Sequence, residues 1–391
     1  MDITITPRPL CGNVTAIPSK SQAHRLLICA AFADAPTTLL CPDTNRDIMA
    51  TVDCLNALGA RIRRTDSGYS VVPATQIPKS ATLCCCESGS TLRFMLPIAG
   101  ALGVETTFRM EGRLPNRPLS PLWEEMERMG CTLTRPSADT ILCQGKLRSG
   151  SYCIDGSVSS QFITGLLFAL SLLENCSTLE ISGRLESRPY IQMTKIAMAK
   201  FGVDAGRLGG QKFHSPGRIT VEGDWSNAAF FLAAATLGNS VAVSNLDPDS
   251  PQGDRAVSEM LAFLNTDTAT LSMADTPDLM PVLAVVAGAK HGAIFTDIRR
   301  LRLKESDRVA SVTAMLEALG GKVRIGENAF TVLGTGYTGG TVDAQGDHRI
   351  AMAAAIAATV CQKPVTILGA EAVNKSYPKF WDEYRKLGGS L

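Results

Sequence analysis

Six stretches of this chain share one pattern of apolar and polar positions: a helix apolar on nearly every side, then a short strand. They begin near Arg25 (RLLICAAFADAPTTLL), Arg93 (RFMLPIAGALGVETTF), Gln161 (QFITGLLFALSLLENCSTLEI), Asn227 (NAAFFLAAATLGNSVAV), Asp278 (DLMPVLAVVAGAKHGAIF) and Arg349 (RIAMAAAIAATVCQKPVTI). Helices of this kind offer no polar face to water, so each is expected to be buried. A second, amphipathic helix lies between them and ends on a shared signature: Leu58-Gly59, Met129-Gly130, Phe201-Gly202, Leu264-Asn265, Leu319-Gly320 and Leu387-Gly388. Glycine or asparagine there reads as the left-handed residue that stops a helix. In most copies an alternating strand follows, as in Ala60-Arg61-Ile62-Arg63 and Gly321-Lys322-Val323-Arg324.

Such self-similarity is the mark of internal duplication. Buried helices must be wrapped by the strands and amphipathic helices of their own domain, and 391 residues at 45% hydrophobic suit two α/β domains of three units each. The break is placed near Val221-Glu222-Gly223-Asp224, and the N-terminal strand is assigned to the second half. Residues 1–17 plus 224–391 then form one domain and 18–223 the other. The residues heading the buried helices are polar. Asn227 and Asp278 suit helix caps, but arginine is disfavoured by the dipole at a helix start. Arg25, Arg93 and Arg349 are therefore expected to share an anion in a cleft between the domains.

Three strings look built to hold anions: Pro-Ser-Lys-Ser-Gln-Ala-His-Arg at 18–25, Glu-Ser-Gly-Ser-Thr-Leu-Arg at 87–93 and Leu-Lys-Glu-Ser-Asp-Arg at 303–308. Each sets hydroxyls or glycine beside a cation at a predicted helix start, where unpaired N–H groups attract phosphate or carboxylate. With a net charge of only +1, cations are concentrated at these places. The rest of the composition excludes more than it selects. No apolar run reaches membrane-spanning length, and Met1-Asp2-Ile3-Thr4-Ile5 opens with strand-like alternation, not a signal sequence. The twelve cysteines form no Cys-x-x-Cys pair, Cys84-Cys85-Cys86 are too crowded to share a zinc, and the four histidines are scattered. Reduced, mostly buried thiols in a cytoplasmic protein without a metal site are expected.

Further motifs follow in order: Gly-Arg-Leu-Pro-Asn-Arg-Pro-Leu at 112–119, Asp-Gly-Ser-Val-Ser-Ser-Gln-Phe at 155–162, Ser-Arg-Pro-Tyr at 187–190, Thr-Pro-Asp at 276–278, Asp-His-Arg at 347–349 and Lys-Ser-Tyr-Pro at 375–378. With these, the whole chain resembles the 5-enolpyruvylshikimate-3-phosphate synthase family, the 3-phosphoshikimate 1-carboxyvinyltransferases of aromatic amino-acid biosynthesis. The resemblance implies an inside-out α/β fold of two domains, each of three βαβαββ units, with the active site between them. It implies transfer of the enolpyruvyl group of phosphoenolpyruvate to the 5-hydroxyl of shikimate 3-phosphate, without metal or cofactor, by a monomer. It also implies the residues. Ser21, Arg25, Ser159, Ser160 and Ser187 hold shikimate 3-phosphate, Lys20 touches both substrates, and Gln161 bridges them. Arg117, Arg308, Arg349 and Lys375 clamp phosphoenolpyruvate, with Gly89 behind that pocket, where the inhibitor glyphosate is thought to sit. Glu305 handles the proton at the methylene carbon, Asp278 grips and deprotonates the hydroxyl, and Lys304 holds shikimate 3-phosphate. Two substrates bring roughly five to six negative charges, and eight cations, these seven lysines and arginines plus Arg93, would repel one another without ligand and favour closure upon it. Glu87 departs from the asparagine of several family members, and Arg300 from a commonly non-basic residue.

Rival readings fare worse. The enolpyruvyl transferases that use UDP-N-acetylglucosamine carry a loop cysteine, and Gly112–Leu119 has none. A non-catalytic anion-binding relative would lack acids or clamps that are present here. Gly334-Thr-Gly-Tyr-Thr-Gly339 spells a dinucleotide fingerprint, but a strand-like stretch follows instead of the required helix, so a β-hairpin is expected. Few aromatics and no basic run beyond Arg299-Arg300-Leu301-Arg302 disfavour nucleic acid.

Overall fold

The computed structural model describes residues 1–391. They form two compact units, Met1–Ile17 with Gly223–Leu391, and Pro18–Glu222. Gly223 packs within the first of these. A β-carbon on it would lie 1.9 Å from the Asn245 carbonyl oxygen, and its own carbonyl accepts from Gln252 Nε2.

In Pro18–Glu222 the three apolar stretches are the helices Lys20–Ala31, Gly89–Leu102 and Ser160–Ser171, buried almost throughout. The second and third each link two parallel strands: Ser80–Cys86 with Glu105–Met110, and Ser151–Asp155 with Thr178–Ser182. After the first comes Thr37–Leu40, which takes Arg218–Thr220 from the far end of the unit as its parallel neighbour. Two of the three sheets are completed by an antiparallel hairpin, Arg61–Thr65 with Gly68–Val72 and Cys131–Ser137 with Thr140–Gly145. The third keeps two strands. Residues 201–217 replace its hairpin with a loop tied back through isolated bridges from Ser177 to Leu208 and Ala33 to Phe213.

The other unit is built alike on the helices Trp225–Thr236, Met280–Ala289 and His348–Ala358. Ala269–Ser272, Ala293–Thr296, Ala329–Leu333 and Lys322–Ile325 make a complete four-stranded sheet, in that order. Ile3–Ile5 pairs antiparallel with Val365–Leu368, which has Gly340–Asp343 on its other side. Cys11–Thr15 and Ser240–Ser244 pair alone. Here the amphipathic helix Val257–Thr266 leads straight into Ala269–Ser272 and no hairpin intervenes. In both complete hairpin sheets described first in each unit, the outermost strand, Arg61–Thr65 or Lys322–Ile325, has its cations Arg61, Arg63, Lys322 and Arg324 exposed to solvent.

Five of the six helix endings behave as expected, with Gly59, Gly130, Gly202, Gly320 and Gly388 at φ between 74° and 112°. Asn265 does not. It stays inside the helix Val257–Thr266, which ends on extended Asp267 at φ −159°. The Gly334–Gly339 stretch is not a hairpin either. Ala329–Leu333 and Gly340–Asp343 lie in different sheets, and the chain crosses between them with Tyr337 buried and its hydroxyl donating to the Val285 carbonyl at 2.9 Å. No helix follows, so the dinucleotide reading has no N-terminus to work with. No helix in the chain is long and apolar enough to cross a membrane.

One contact sets the spacing of two buried helices. Pro97 lies inside Gly89–Leu102 and has no N–H for the carbonyl of Arg93, four residues earlier. Gly165 of the Ser160 helix presses its α-carbon there, and a β-carbon would sit 2.2 Å from the Arg93 oxygen and 2.9 Å from Pro97 Cγ. Gly165→Ala should therefore force the helices apart and lower stability by roughly 1–3 kcal/mol. Urea unfolding should show a reduced midpoint with an unaltered slope; an unchanged midpoint would mean that the contact gives way freely.

Candidate active site

The helix starts carry the polar residues, but not as six equivalent positions. Ser19, Ser88, Ser159, Asp224 and Asp347 are the caps, each accepting from a backbone N–H two or three residues on. Arg25 and Arg93 therefore stand about one turn inside their helices, Gln161, Asn227 and Arg349 stand just behind the caps, and Asp278 precedes its helix. The short caps satisfy the first turn, and this frees the longer side chains to bond elsewhere.

Arg25 is buried, and its three nitrogens donate to Thr194 Oγ1 at 2.8 Å, the Ser21 carbonyl at 2.6 Å and the Tyr190 carbonyl at 2.9 Å. Loss of hydration brings its pKa down to about 10. Thr194 is itself 2.9 Å from Thr164 on the Ser160 helix. Ser187, at left-handed φ 54°, heads the helix Arg188–Lys200 that supplies Tyr190 and Thr194. Ser159 and Ser160 are buried beside Gln161. Gln161 accepts from Arg93 Nη1 at 2.6 Å and donates to Ser90 at 2.9 Å, and Arg93 Nη2 donates to the Pro118 carbonyl at 2.9 Å. A β-carbon on Gly89 would meet Arg117 Nη1 at 2.6 Å and Arg93 Nη1 at 3.2 Å. Lys20 pairs with Asp47 at 2.9 Å.

The other unit gathers Asp278, Lys304, Glu305, Arg308 and Arg349 tightly. Arg308 is fully buried and bonds three carboxylates: Asp278 through Nη1 at 2.5 Å, Glu305 through Nη2 at 2.7 Å and Asp347 through Nε at 3.0 Å. Asp278 also accepts from Arg349 Nη2 at 3.0 Å and lies 3.4 Å from Lys304 Nζ. Asp347 accepts from Ser306 at 3.0 Å and caps the Arg349 N–H. Lys375 Nζ donates to the Gly346 carbonyl at 3.1 Å, one residue from that cap.

The electrostatics follow from this crowding. Burial alone would raise the Asp278 carboxyl, but Arg349, Lys304 and Arg308 hold it well below its ordinary value. Burial likewise works against Asp347, and Arg308 and His348 outweigh it, leaving a lowered pKa. Lys304 is brought down to about 8 by burial, against the pull of Asp278. Arg308, despite burial, is held charged by Asp347, Glu305 and Asp278. The expected self-repulsion of the cations is thus much reduced: Asp278, Glu305 and Asp347 answer the cations of their unit, and Asp47 answers Lys20. Asp47, Thr194 and Asp347 had no role in the expectations above. Asp347 had a local signal, an acid just ahead of an apolar helix. Asp47 and Thr194 had none, since they lie on amphipathic helices far along the chain from the cations they hold.

Both units repeat one α/β pattern, with arginines and carboxylates at the helix starts, and known proteins share this arrangement. The 3-phosphoshikimate 1-carboxyvinyltransferase of Clostridium kluyveri is 38% identical over 416 aligned residues, covering 100% of this chain and 98% of that protein. That of Clostridium beijerinckii is 36% identical, covering 99% and 98%. Among solved structures, EPSP synthase from Acinetobacter baumannii superposes with a TM-score of 0.80 at 21% identity over the full length of both chains. The enolpyruvyl transferase NikO from Streptomyces tendae does so at 0.72 and 18%, over 99% and 97%. The sequence profile of EPSP synthase (3-phosphoshikimate 1-carboxyvinyltransferase) matches residues 5–384. The chain belongs to that family.

The sign of one pH effect follows. Asp278 and Asp347 have lower pKa values folded than unfolded, so below about pH 4 the unfolded chain binds more protons. Their stabilisation is present above that point and is lost as pH falls. Asp347→Asn should cost roughly 3–5 kcal/mol at neutral pH, because it leaves Arg308 short of a buried partner, and should make the acid decline shallower. Urea unfolding from pH 6 to pH 2 tests both; parallel acid limbs in the two proteins would remove Asp347 from the linkage.

Proposed function

We propose that this chain transfers the enolpyruvyl group of phosphoenolpyruvate to the 5-hydroxyl of shikimate 3-phosphate and releases phosphate. The observation that carries the reading is the Arg308 cluster, an acid pair and arginine forks in one place, within a chain of this family. The hydroxyl oxygen bonds C2 of phosphoenolpyruvate as C3 gains a proton. C3 then loses a proton while the C2–O bond to phosphate breaks.

Asp278 takes the hydroxyl proton, and Glu305 carries the proton at C3. Arg117, Arg308, Arg349 and Lys375 hold phosphoenolpyruvate, whose carboxylate and phosphate suit planar forks. Ser21, Arg25, Ser159, Ser160, Ser187 and Lys304 hold shikimate 3-phosphate, with Lys20 and Gln161 touching both. Arg308 now spends one nitrogen on Glu305 and another on Asp278. An incoming anion competes for that fork, loosens its hold on Glu305 and so makes protonation of the glutamate easier. Lys304 lies 3.4 Å from Asp278 and, with its pKa brought down to about 8, its neutral form can accept the proton that Asp278 takes from the hydroxyl.

Phosphate release from phosphoenolpyruvate should require shikimate 3-phosphate, should not occur with UDP-N-acetylglucosamine, and should persist in EDTA. Glu305→Gln should lower turnover by roughly 10²–10⁴-fold with little change in substrate binding; near-normal turnover would take Glu305 out of the chemistry. A methyl group at Gly89 would press on the Arg117 and Arg93 guanidinia. Gly89→Ala should therefore raise the glyphosate inhibition constant strongly and the phosphoenolpyruvate KM less, measured beside melting temperatures. Equal shifts would mean that Gly89 serves only the turn.

A further inference from the structure

Glu87 opens the turn that leads into the Gly89 helix, and none of the steps above uses it. Its carboxylate occupies the space in front of Gly112, where a β-carbon would lie 2.0 Å from Glu87 Oε1 and 2.8 Å from Cδ. Gly112 is at φ 56°, a left-handed conformation that L side chains rarely adopt, so conformation and space both reserve the position for glycine. The two segments are also laced at the backbone, for the Glu111 N–H donates to the Cys86 carbonyl at 2.7 Å. From Gly112 the chain passes through the 3-10 turn Leu114–Asn116 to Arg117. At the next residue the Pro118 carbonyl is held by Arg93 Nη2 at 2.9 Å. The short loop carrying Arg117 is therefore clasped at its start by Glu87 and at its end by Arg93, and the Arg117 guanidinium lies against Gly89 between these holds.

We propose that Glu87 is a positioning residue for phosphoenolpyruvate binding: its carboxylate seats Gly112 and thereby aims Arg117. This rests on the reading of Arg117 as a phosphoenolpyruvate ligand. An acid two residues from Gly89 works against an anion through its charge, so what it contributes must be geometric. Loss of a binding contact that is alike in ground and transition states raises KM and leaves kcat in place.

Two measurements on the full chain decide it. Hydrogen exchange of the ligand-free protein follows the amides of residues 112–117, and steady-state kinetics follow phosphate release. Glu87→Ala should speed exchange in that segment and raise the phosphoenolpyruvate KM on the order of tenfold, with kcat and the shikimate 3-phosphate KM within about twofold. Gly112→Ala, which ejects the carboxylate from the other side, should do the same, and Glu87→Gln, which keeps the shape and an accepting oxygen, should restore both readouts. Unchanged exchange and KM in Glu87→Ala would overturn the proposal. So would a Glu87→Gln enzyme that binds phosphoenolpyruvate more tightly than the wild type, since charge would then outweigh geometry. A wild type without turnover would instead sink the functional reading, and the exchange data would still decide whether Glu87 clasps the loop.

Discussion

A guanidinium without access to water is the constraint around which the Gly223–Leu391 unit is organised. Arg308 is tolerable in the interior only because Asp278, Glu305 and Asp347 take up its donors; a buried charge left short of partners costs several kcal/mol. Its planar fork admits few arrangements. The turn before the Met280 helix, the Lys304–Ser306 turn and the cap of the His348 helix must therefore all be placed correctly for the unit to be stable. Folding and assembly of the candidate catalytic groups become one problem, and the acids are held in place before any substrate arrives.

In Pro18–Glu222, Arg25 meets the same problem with neutral acceptors. Arg25 rests on a threonine hydroxyl and two carbonyls, with no carboxylate among these bonds. Such contacts fix the side chain and leave its charge uncancelled, and the lowered pKa records the cost of that burial. An anion that reaches this arginine relieves a penalty already present in the empty protein. Arg308 is held by carboxylates that neutralise it and Arg25 by neutral acceptors, two different ways to keep a guanidinium in the interior.

What was legible in the sequence was local. Apolar periodicity marked the six buried helices, and glycine marked the left-handed stop at five of the six expected endings, because both depend on residues within one or two turns. Asn265 misled because asparagine, unlike glycine, is also accommodated within a helix. The crossover at Gly334–Gly339 was misread because a glycine-rich turn looks the same whether the next strand joins its own sheet or another. The candidate site residues came mostly from ordered motifs. Asp47 and Thr194, which hold two of those residues, are set by packing between distant segments and leave no local trace.

The strands Arg61–Thr65 and Lys322–Ile325 each end a sheet with their hydrogen-bonding edge unpaired. A bare edge invites another chain to add a strand and begin aggregation, and rows of exposed cations make that addition unfavourable. Arg63 and Arg324 are thus better understood as guards against self-association than as ligands for an anion. Arg64 adds a local brace, stacking 4.8 Å from the Tyr69 ring centroid while it donates to the Cys41 carbonyl at 2.7 Å. A basic patch and an arginine-lined sheet edge look alike in sequence, yet one recruits partners and the other keeps them away.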